Sequence, residues 1–389
     1  LVRNRHFQQV ACNRPSELLT CLGNRAGQMM KTLKNPFLGK GLPEQSGLAD
    51  GSVSQDVAGA ENLFRKCPRA DETPLLIVND LAAGLAIGNL ALKDERQRMG
   101  LGSFKALGAA YAIAKLADSR VRGGLAQSHA SALTGRTFVC ASAGNHGMSL
   151  AAGAPLFGAR AVVFVAETVP SAFEARLKAR GADVVRAGAT YEDSMAEAQR
   201  RADAEGWTLL PDSTWPGMTA AGHDVMEGYL VIAAEIARQI KTPPTHVFLQ
   251  AGVGGLAAAC AVGARLTWGR DVTIVVVEPE YAPALMASIE AGKPVTAPGP
   301  VSNMGRLDCK EPSHLALKYL AREADFFVTV SDSEAAETVD WLGNNGIATT
   351  PSGAGGITAV RHAGGGASTL GLGSEARVLC YLSEGPEDV

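Results

Sequence analysis

The chain has 389 residues, of which 46% are hydrophobic and 19% charged, and its formal net charge is -3. That length can bury a large core and suits two domains or one elaborate one. The charge balance offers no basic stripe to neutralise phosphates, which excludes nucleic acid and anionic membrane as main partners and leaves small molecules.

Seven cysteines, Cys12, Cys21, Cys67, Cys140, Cys260, Cys309 and Cys380, are scattered without a CxxC pair. An odd count at such spacing argues against a disulfide framework and for a reducing cytoplasm, and no metal-ligand set is assigned. No run approaches 18 apolar residues, and the start "LVRNRHFQQVACNRPSELL" lacks the apolar stretch of a signal peptide. Neither a membrane span nor a leader is therefore expected.

Residues 1 to about 70 read as polar and irregular, with "GKGLPEQSGLADGSVSQD" the most loop-like part. An arm draped on the body or on a neighbouring subunit is expected there. Next comes "GLGSFKALGAAY", residues 100–111, in which Leu107, Tyr111 and Ala114 fall at helical spacing beside Gly108 and Ala110. The helix should pack closely, and burying an unpaired ammonium at Lys105 would cost several kcal/mol. That lysine needs a chemical reason to be there.

From "RTFVCAS" onward the chain alternates apolar strands with helices. The strands "TFVCA", "AVVFVA", "ADVVRA" and "WTLLPD" are separated by helix-like "GMSLAAGAPLF", "SAFEARLKAR" and "YEDSMAEAQRRADAEG". This is the pattern of a parallel sheet covered on both faces. A second series, "THVFLQA", "GLAAACAVGARL", "TIVVVE", "ADFFVTVS" and "ARVLCYLS", predicts a second parallel sheet. The fold class is thus α/β, two open and mostly parallel twisted sheets flanked by helices. In such sheets ligands sit beyond the carboxyl ends of the strands, at the strand-to-helix turns.

Four of those turns are unusual. In "QAGVGGLAA", residues 250–258, the glycines allow backbone N–H groups from Gly252, Val253, Gly254, Gly255 and Leu256 to wrap an oxyanion at a helix N-terminus. The same letters satisfy a dinucleotide fingerprint, with Glu278 of "TIVVVE" as the ribose-binding acid, so this turn alone also fits an NAD-dependent oxidoreductase. In "ASAGNHGMS", residues 141–149, Ser142, Ala143, Gly144, Asn145 and His146 present hydroxyl, amide and backbone donors suited to a carboxylate, or simply a capped helix start. Asp212 ends the strand in "LLPDSTWPGM", and Ser383 ends the last strand in "LCYLSEGPED". The Gly-rich "TTPSGAGGITAV", residues 349–360, reads as a close-packing device.

A lysine, a phosphate cup, a carboxylate loop and a strand-end serine are the parts needed to hold pyridoxal phosphate with an amino acid joined to it. Taken together, "TPLL", "GLGSFKALGAAYA", "ASAGNHG", "LPDSTW", "QAGVGGLAAA", "SNMGRLDCKEPS", "PSGAGG" and "LSEGPED" occur in an order that resembles the fold type II pyridoxal-phosphate enzymes, the group of threonine dehydratase and the tryptophan synthase β subunit. Within that group the motifs are most similar to the diaminopropionate ammonia-lyase branch. The resemblance implies a cytoplasmic homodimer acting on a small amino acid. It implies an arm over residues 1–70, a large cofactor-binding domain from 71–106 with 219–389, and a small domain over 107–218.

It also makes Lys105 the lysine joined to pyridoxal phosphate, with Phe104 packed near it. Asn145 would bond the ring hydroxyl, residues 252 to 256 would surround the phosphate, and Ser383 would face the ring nitrogen. A neutral serine leaves that nitrogen unprotonated, which suits elimination better than transamination. The implied reaction is removal of the Cα proton by Lys105, loss of the β substituent, and hydrolysis to a keto acid and ammonia. Asp212 would protonate a leaving amine or bond a substrate amino group. Ser142, Ala143, Gly144 and His146 would hold the substrate. Two departures stand out: Ala143 replaces an aspartate found in lyases that use both enantiomers, and Gly102-Ser103 replaces the usual lead into the lysine. The first implies an L-amino acid, and leaves 2,3-diaminopropionate, serine, threonine and other β-substituted amino acids open as substrates.

Overall fold

The computed structural model describes residues 30–363 and 369–386. Its strands are β1 (Thr32–Lys34), β2 (Leu75–Ile77), β3 (Asn89–Asp94), β4 (Thr137–Ala141), β5 (Arg160–Val165), β6 (Ala182–Arg186), β7 (Thr208–Leu209), β8 (His246–Gln250), β9 (Thr273–Pro279), β10 (Phe326–Val330) and β11 (Arg377–Leu382). They form two sheets. One has seven strands in the order β1-β10-β9-β8-β11-β3-β2, the other four in the order β6-β5-β4-β7.

All pairings in the four-stranded sheet are parallel. The large sheet is parallel through its centre, and β1 and β2 close its two edges antiparallel. The central strands are buried and mostly apolar, because helices cover both faces: every residue of β8 is buried, as are Ile274 to Pro279 of β9. The small sheet draws on residues 137–209, and the large one takes its strands from either side of that stretch.

The segment expected to be an irregular arm divides. Residues 1–29 lie outside the described part of the chain. From residue 30 the arm is built into the body: β1 pairs with β10, and a helix, Val57–Phe64, buries Ala60 and Phe64. Sequence periodicity misses a three-residue strand, and an eight-residue helix carrying two buried apolar side chains offers little more signal. The loop-like stretch between them holds only the 3₁₀ turn Glu44–Ser46.

Helices end and start where the residues dictate. Thr190 and Asp193 form a reciprocal capping box that opens the helix Tyr191–Glu205, and Gly206, at φ 65°, closes it in the left-handed region. The helix Gly255–Trp268 is buried from Gly255 through Ala264. Its Gly263 sits against Ala233 of the helix Leu230–Gln239, so close that a Cβ there would overlap. Gly355 and Gly356 likewise seat the helix Gly355–His362 on Gln250 and Phe248, the packing role read from "PSGAGG".

A buried ionic network fixes the chain between β3 and Lys105. Arg98, wholly buried, bonds Glu95 Oε1 and Oε2 at 2.8 Å, and Glu235 Oε1 and Oε2 at 2.7 Å. Lys93 Nζ reaches Glu235 Oε2 and the Thr73 carbonyl, each at 2.6 Å. Such a cluster survives burial only because every charge is matched and hydrogen-bonded. It anchors the approach to Lys105 to β2, β3 and the helix Leu230–Gln239. Among the described residues no helix is long and apolar enough to cross a membrane.

Candidate active site

Lys105 lies on the 3₁₀ turn Phe104–Leu107, just before the helix Ala109–Arg122. Gly108 separates the two, because a Cβ there would come 2.7 Å from Tyr229 Oη. The turn is stitched to the end of β11: Phe104 N donates to the Ser383 carbonyl at 3.0 Å, and Ser103 bridges Glu384. Phe104 also meets the Tyr229 ring edge-to-face, centroids 4.9 Å apart.

Lys105 Nζ donates to Asp212 Oδ2 at 2.5 Å, both side chains being about one-fifth exposed. Burial opposes the ammonium, but the Asp212 carboxylate outweighs it and holds Lys105 above its ordinary pKa. Burial alone would likewise raise the Asp212 carboxyl. The Lys105 ammonium overcomes it and drives Asp212 well below the usual carboxylate range. Asp212 gets there because β7 stops at Leu209 and Leu210 still hangs on Val139 of β4, with N–O 2.8 Å.

Around this pair three strand-end turns converge. After β8, the turn through Gly252–Gly254 leads into the helix Gly255–Trp268, whose first internal bond is Ala258 N to the Gly254 carbonyl at 2.9 Å. Earlier first-turn N–H groups have no acceptor inside the helix and point at whatever lies ahead of it. Gly254 has φ +98°, and a Cβ on it would meet Leu285 at 3.1 Å. A Cβ on Gly252 would come 2.9 Å from Cys309 Sγ. Burial pushes the Cys309 thiol up to about 11, so it stands there as an un-ionised group.

After β4, residues 142–144 lead into the helix Asn145–Gly153, whose start again leaves backbone donors without helical acceptors. Asn145 Nδ2 donates to Glu384 Oε2 at 2.6 Å. Ala143 supplies no ionisable group. His146 is 3% exposed, its Nε2 2.7 Å from the Leu210 carbonyl. One ring nitrogen is thus tied to the β7 exit, while Nδ1 has no hydrogen-bond partner among the described residues.

After β11, Ser383 Oγ accepts from Gln250 Nε2 at 3.1 Å, which leaves its own hydrogen to donate. Glu384, 5% exposed, accepts from Asn145 and from Thr350 Oγ1, and so ties this turn to the one at 142–145. Glu384 and Arg306 were missed as site residues in the sequence, although "LSEG" and "SNMGRLD" were both recognised as motifs. The signal was present as a charged residue inside each motif, but nothing in the one-dimensional order says that residues 145, 306 and 384 meet.

Two alternatives close on geometry. Glu278 is fully buried and caps the helix Ala284–Ala291, accepting from Leu285 N at 2.7 Å and Met286 N at 2.8 Å, with its carboxyl pushed up to about 8 by burial. It has no face to offer a ribose, and the dinucleotide reading of "GVGGLA" loses its acid. Lys93, the other lysine near this motif, is locked in the ionic network beside β3. A cluster of ligand-type atoms also occurs outside the site, at His223, Asp224 and Glu227. Lys115 Nζ lies 2.7 Å from both carboxylates and supplies the cation there.

The model of the pyridoxal-phosphate dependent enzyme family matches residues 68–384. The chain belongs to that family. It is 32% identical over 300 residues to the diaminopropionate ammonia-lyase of Escherichia coli (strain K12), covering 73% of this chain and 74% of that one. It is 33% identical over 226 residues to threonine dehydratase 1 of Solanum lycopersicum, covering 58% of this chain and 34% of that one. A crystal structure of the Escherichia coli lyase in complex with an aminoacrylate-PLP azomethine reaction intermediate superposes with a TM-score of 0.79 at 27% identity, over 92% of this chain and 94% of that one.

As a pyridoxal-phosphate dependent enzyme the chain uses that cofactor, and its residues fit it. A helix N-terminus behind a glycine turn suits a phosphate dianion. A lysine paired with a carboxylate lies within the same convergence of turns. Ser103 Oγ, two residues before Lys105 and 1% exposed, has no hydrogen-bond partner among the described residues, as befits a polar atom lining a ligand site.

Proposed function

We propose that the chain is a pyridoxal-phosphate dependent lyase that eliminates ammonia, or another β substituent, from a small amino acid of the 2,3-diaminopropionate type, giving a keto acid and ammonia. The observation that carries this reading is the Lys105–Asp212 pair, a base and an acid held 2.5 Å apart. Bound pyridoxal phosphate supplies the electron sink that makes the Cα proton of an amino acid removable. In the reading, Lys105 Nζ carries the cofactor at rest and takes the Cα proton during turnover.

Asp212 completes the proton path. With the Lys105 ammonium beside it the carboxyl is held ionised, but when Nζ is engaged elsewhere the main opposition to burial is gone and the carboxyl pKa rises. It then accepts a proton from a substrate ammonium and returns it to the departing amine, which leaves poorly unless protonated. Residues Gly252, Val253, Gly254, Gly255 and Leu256 hold the phosphate, Asn145 the ring hydroxyl and Ser383 the ring nitrogen. Ser142, Ala143, Gly144 and the His146 backbone form the carboxylate turn. Phe104 packs against Tyr229 and walls the cofactor.

A large domain of 71–106 with 219–389, a small one of 107–218, and a homodimer in the cytoplasm belong to the same proposal. The division is supported by the separate four-stranded sheet. The direct test incubates the holoenzyme with 2,3-diaminopropionate, serine and threonine and measures keto acid and ammonia. Failure to release either from any of them would remove the reading. Release from serine and threonine alone would favour the dehydratase relatives.

Two further outcomes are expected. Gly254→Asp should weaken cofactor retention at least about tenfold, the equivalent of one lost hydrogen bond to a charged group. Equilibrium dialysis against pyridoxal phosphate measures this, and unchanged affinity in a folded variant moves the phosphate elsewhere. The L-enantiomer should be favoured by about 100-fold or more, since Ala143 supplies no base for the opposite face and a general base contributes at least that factor. Comparing elimination from L- and D-2,3-diaminopropionate in wild type and Ala143→Asp checks it. Equal wild-type rates would contradict the one-sided arrangement.

A further inference from the structure

Arg306 lies against two of the three converging turns. Its backbone carbonyl is 3.2 Å from where a Cβ on Gly252 would stand. Its Nη1 is 2.8 Å from where a Cβ on Gly144 would stand. The Gly252 side is shared with Cys309 and Leu307, whereas at Gly144 all the nearest atoms belong to the Arg306 guanidinium. The backbone is pinned, with Arg306 N donating to Ser352 Oγ at 3.0 Å. The Nε end of the guanidinium stands 3.8 Å from Glu384 Oε2, the carboxylate that also holds Asn145. The side chain keeps 30% of its surface exposed, so a solute can reach it.

A guanidinium is a planar fork that matches a carboxylate, and it keeps its charge at all working pH values. Here the fork lies on Gly144, inside the turn that precedes the open N-terminus of the helix Asn145–Gly153. The Lys105 ammonium, which feels the Arg306 charge, is itself matched by Asp212. Arg306 and the helix N-terminus offer a cation and backbone donors to an anion, and the Lys105–Asp212 pair is left to the amine. We propose that Arg306 binds the α-carboxylate of the amino-acid substrate, gripping it together with the backbone donors of residues 144–146. This rests on the proposed lyase site and adds to it the residue that selects free amino acids over their amides.

The test uses ligands that lack a leaving group, so that binding is read apart from chemistry. Wild-type, Arg306→Met and Arg306→Lys holoenzymes are titrated with L-alanine and with L-alaninamide, following the change in the visible band of the bound cofactor. Wild type is expected to prefer alanine. Arg306→Met should lose alanine affinity by about 10- to 100-fold, the range for a hydrogen bond between charged groups, with the amide unchanged. Arg306→Lys should restore part of the preference, since it keeps the charge but not the fork.

An alanine-to-alaninamide ratio equal to that of wild type in Arg306→Met overturns the assignment. Should that variant lose the visible band, the same unchanged ratio in Arg306→Lys overturns it. A wild type with no preference, or with no response to alanine, overturns it as well. Keto acid release from serine or 2,3-diaminopropionate is scored separately. An enzyme that discriminates alanine through Arg306 yet eliminates from neither compound refutes the lyase reading alone.

Discussion

Replacing Lys105 by alanine is expected to reduce turnover by about 10⁴-fold or more, the upper range for removing a positioned base, while the protein still folds and still takes up cofactor through the glycine turn. The reason is that the neighbouring amines are engaged. Lys93 is fully buried in the ionic network with Glu235, and Lys115 is paired with Asp224 and Glu227. Borohydride reduction of the wild-type holoenzyme should fix the cofactor to Lys105, and peptide mapping reads the site. In Lys105→Ala the cofactor should remain dialysable after the same treatment. A label on Lys93, or turnover in Lys105→Ala within tenfold of wild type, would remove the central assignment.

Much of this architecture is legible in the sequence, for definable reasons. The strands β4 to β6 and β8 to β11 are apolar runs bounded by turn residues, because a parallel sheet buried on both faces allows little else. The glycine turns announce themselves because a positive φ, as at Gly254, disfavours any other residue. What stays hidden depends on distance along the chain. Lys105 reads as an anomaly in isolation, but its partner lies 107 positions away at the end of a two-residue strand. Glu384 and Arg306 are ordinary charged residues until folding brings them to Asn145 and Gly144. Conversely, Glu278 satisfies a dinucleotide pattern that the fold spends on capping a helix, a case where one-dimensional spacing has two physical uses.

Asp212→Asn should lower elimination of ammonia from 2,3-diaminopropionate by about 10²- to 10⁴-fold, and elimination of water from serine by less. Asparagine keeps the shape and can still accept a hydrogen bond from Lys105 Nζ, but it cannot carry a proton to a departing amine. The comparison of leaving groups therefore separates a proton-transfer role from a positioning one. In the cofactor-free protein the substitution also removes an ion pair, and the sign of its pH dependence follows from the two shifts. Asp212 is lowered on folding, so its stabilising contribution is present above the unfolded carboxyl pKa of about 4 and fades as pH falls through its folded value. Lys105 is raised, so its contribution is present below an unfolded pKa of about 10 and is lost as pH rises through its folded value. The difference in melting temperature between apo wild type and apo Asp212→Asn should thus be widest between those limits and narrow outside them. Equal losses on diaminopropionate and serine would assign Asp212 to holding Lys105 in place rather than to the proton path.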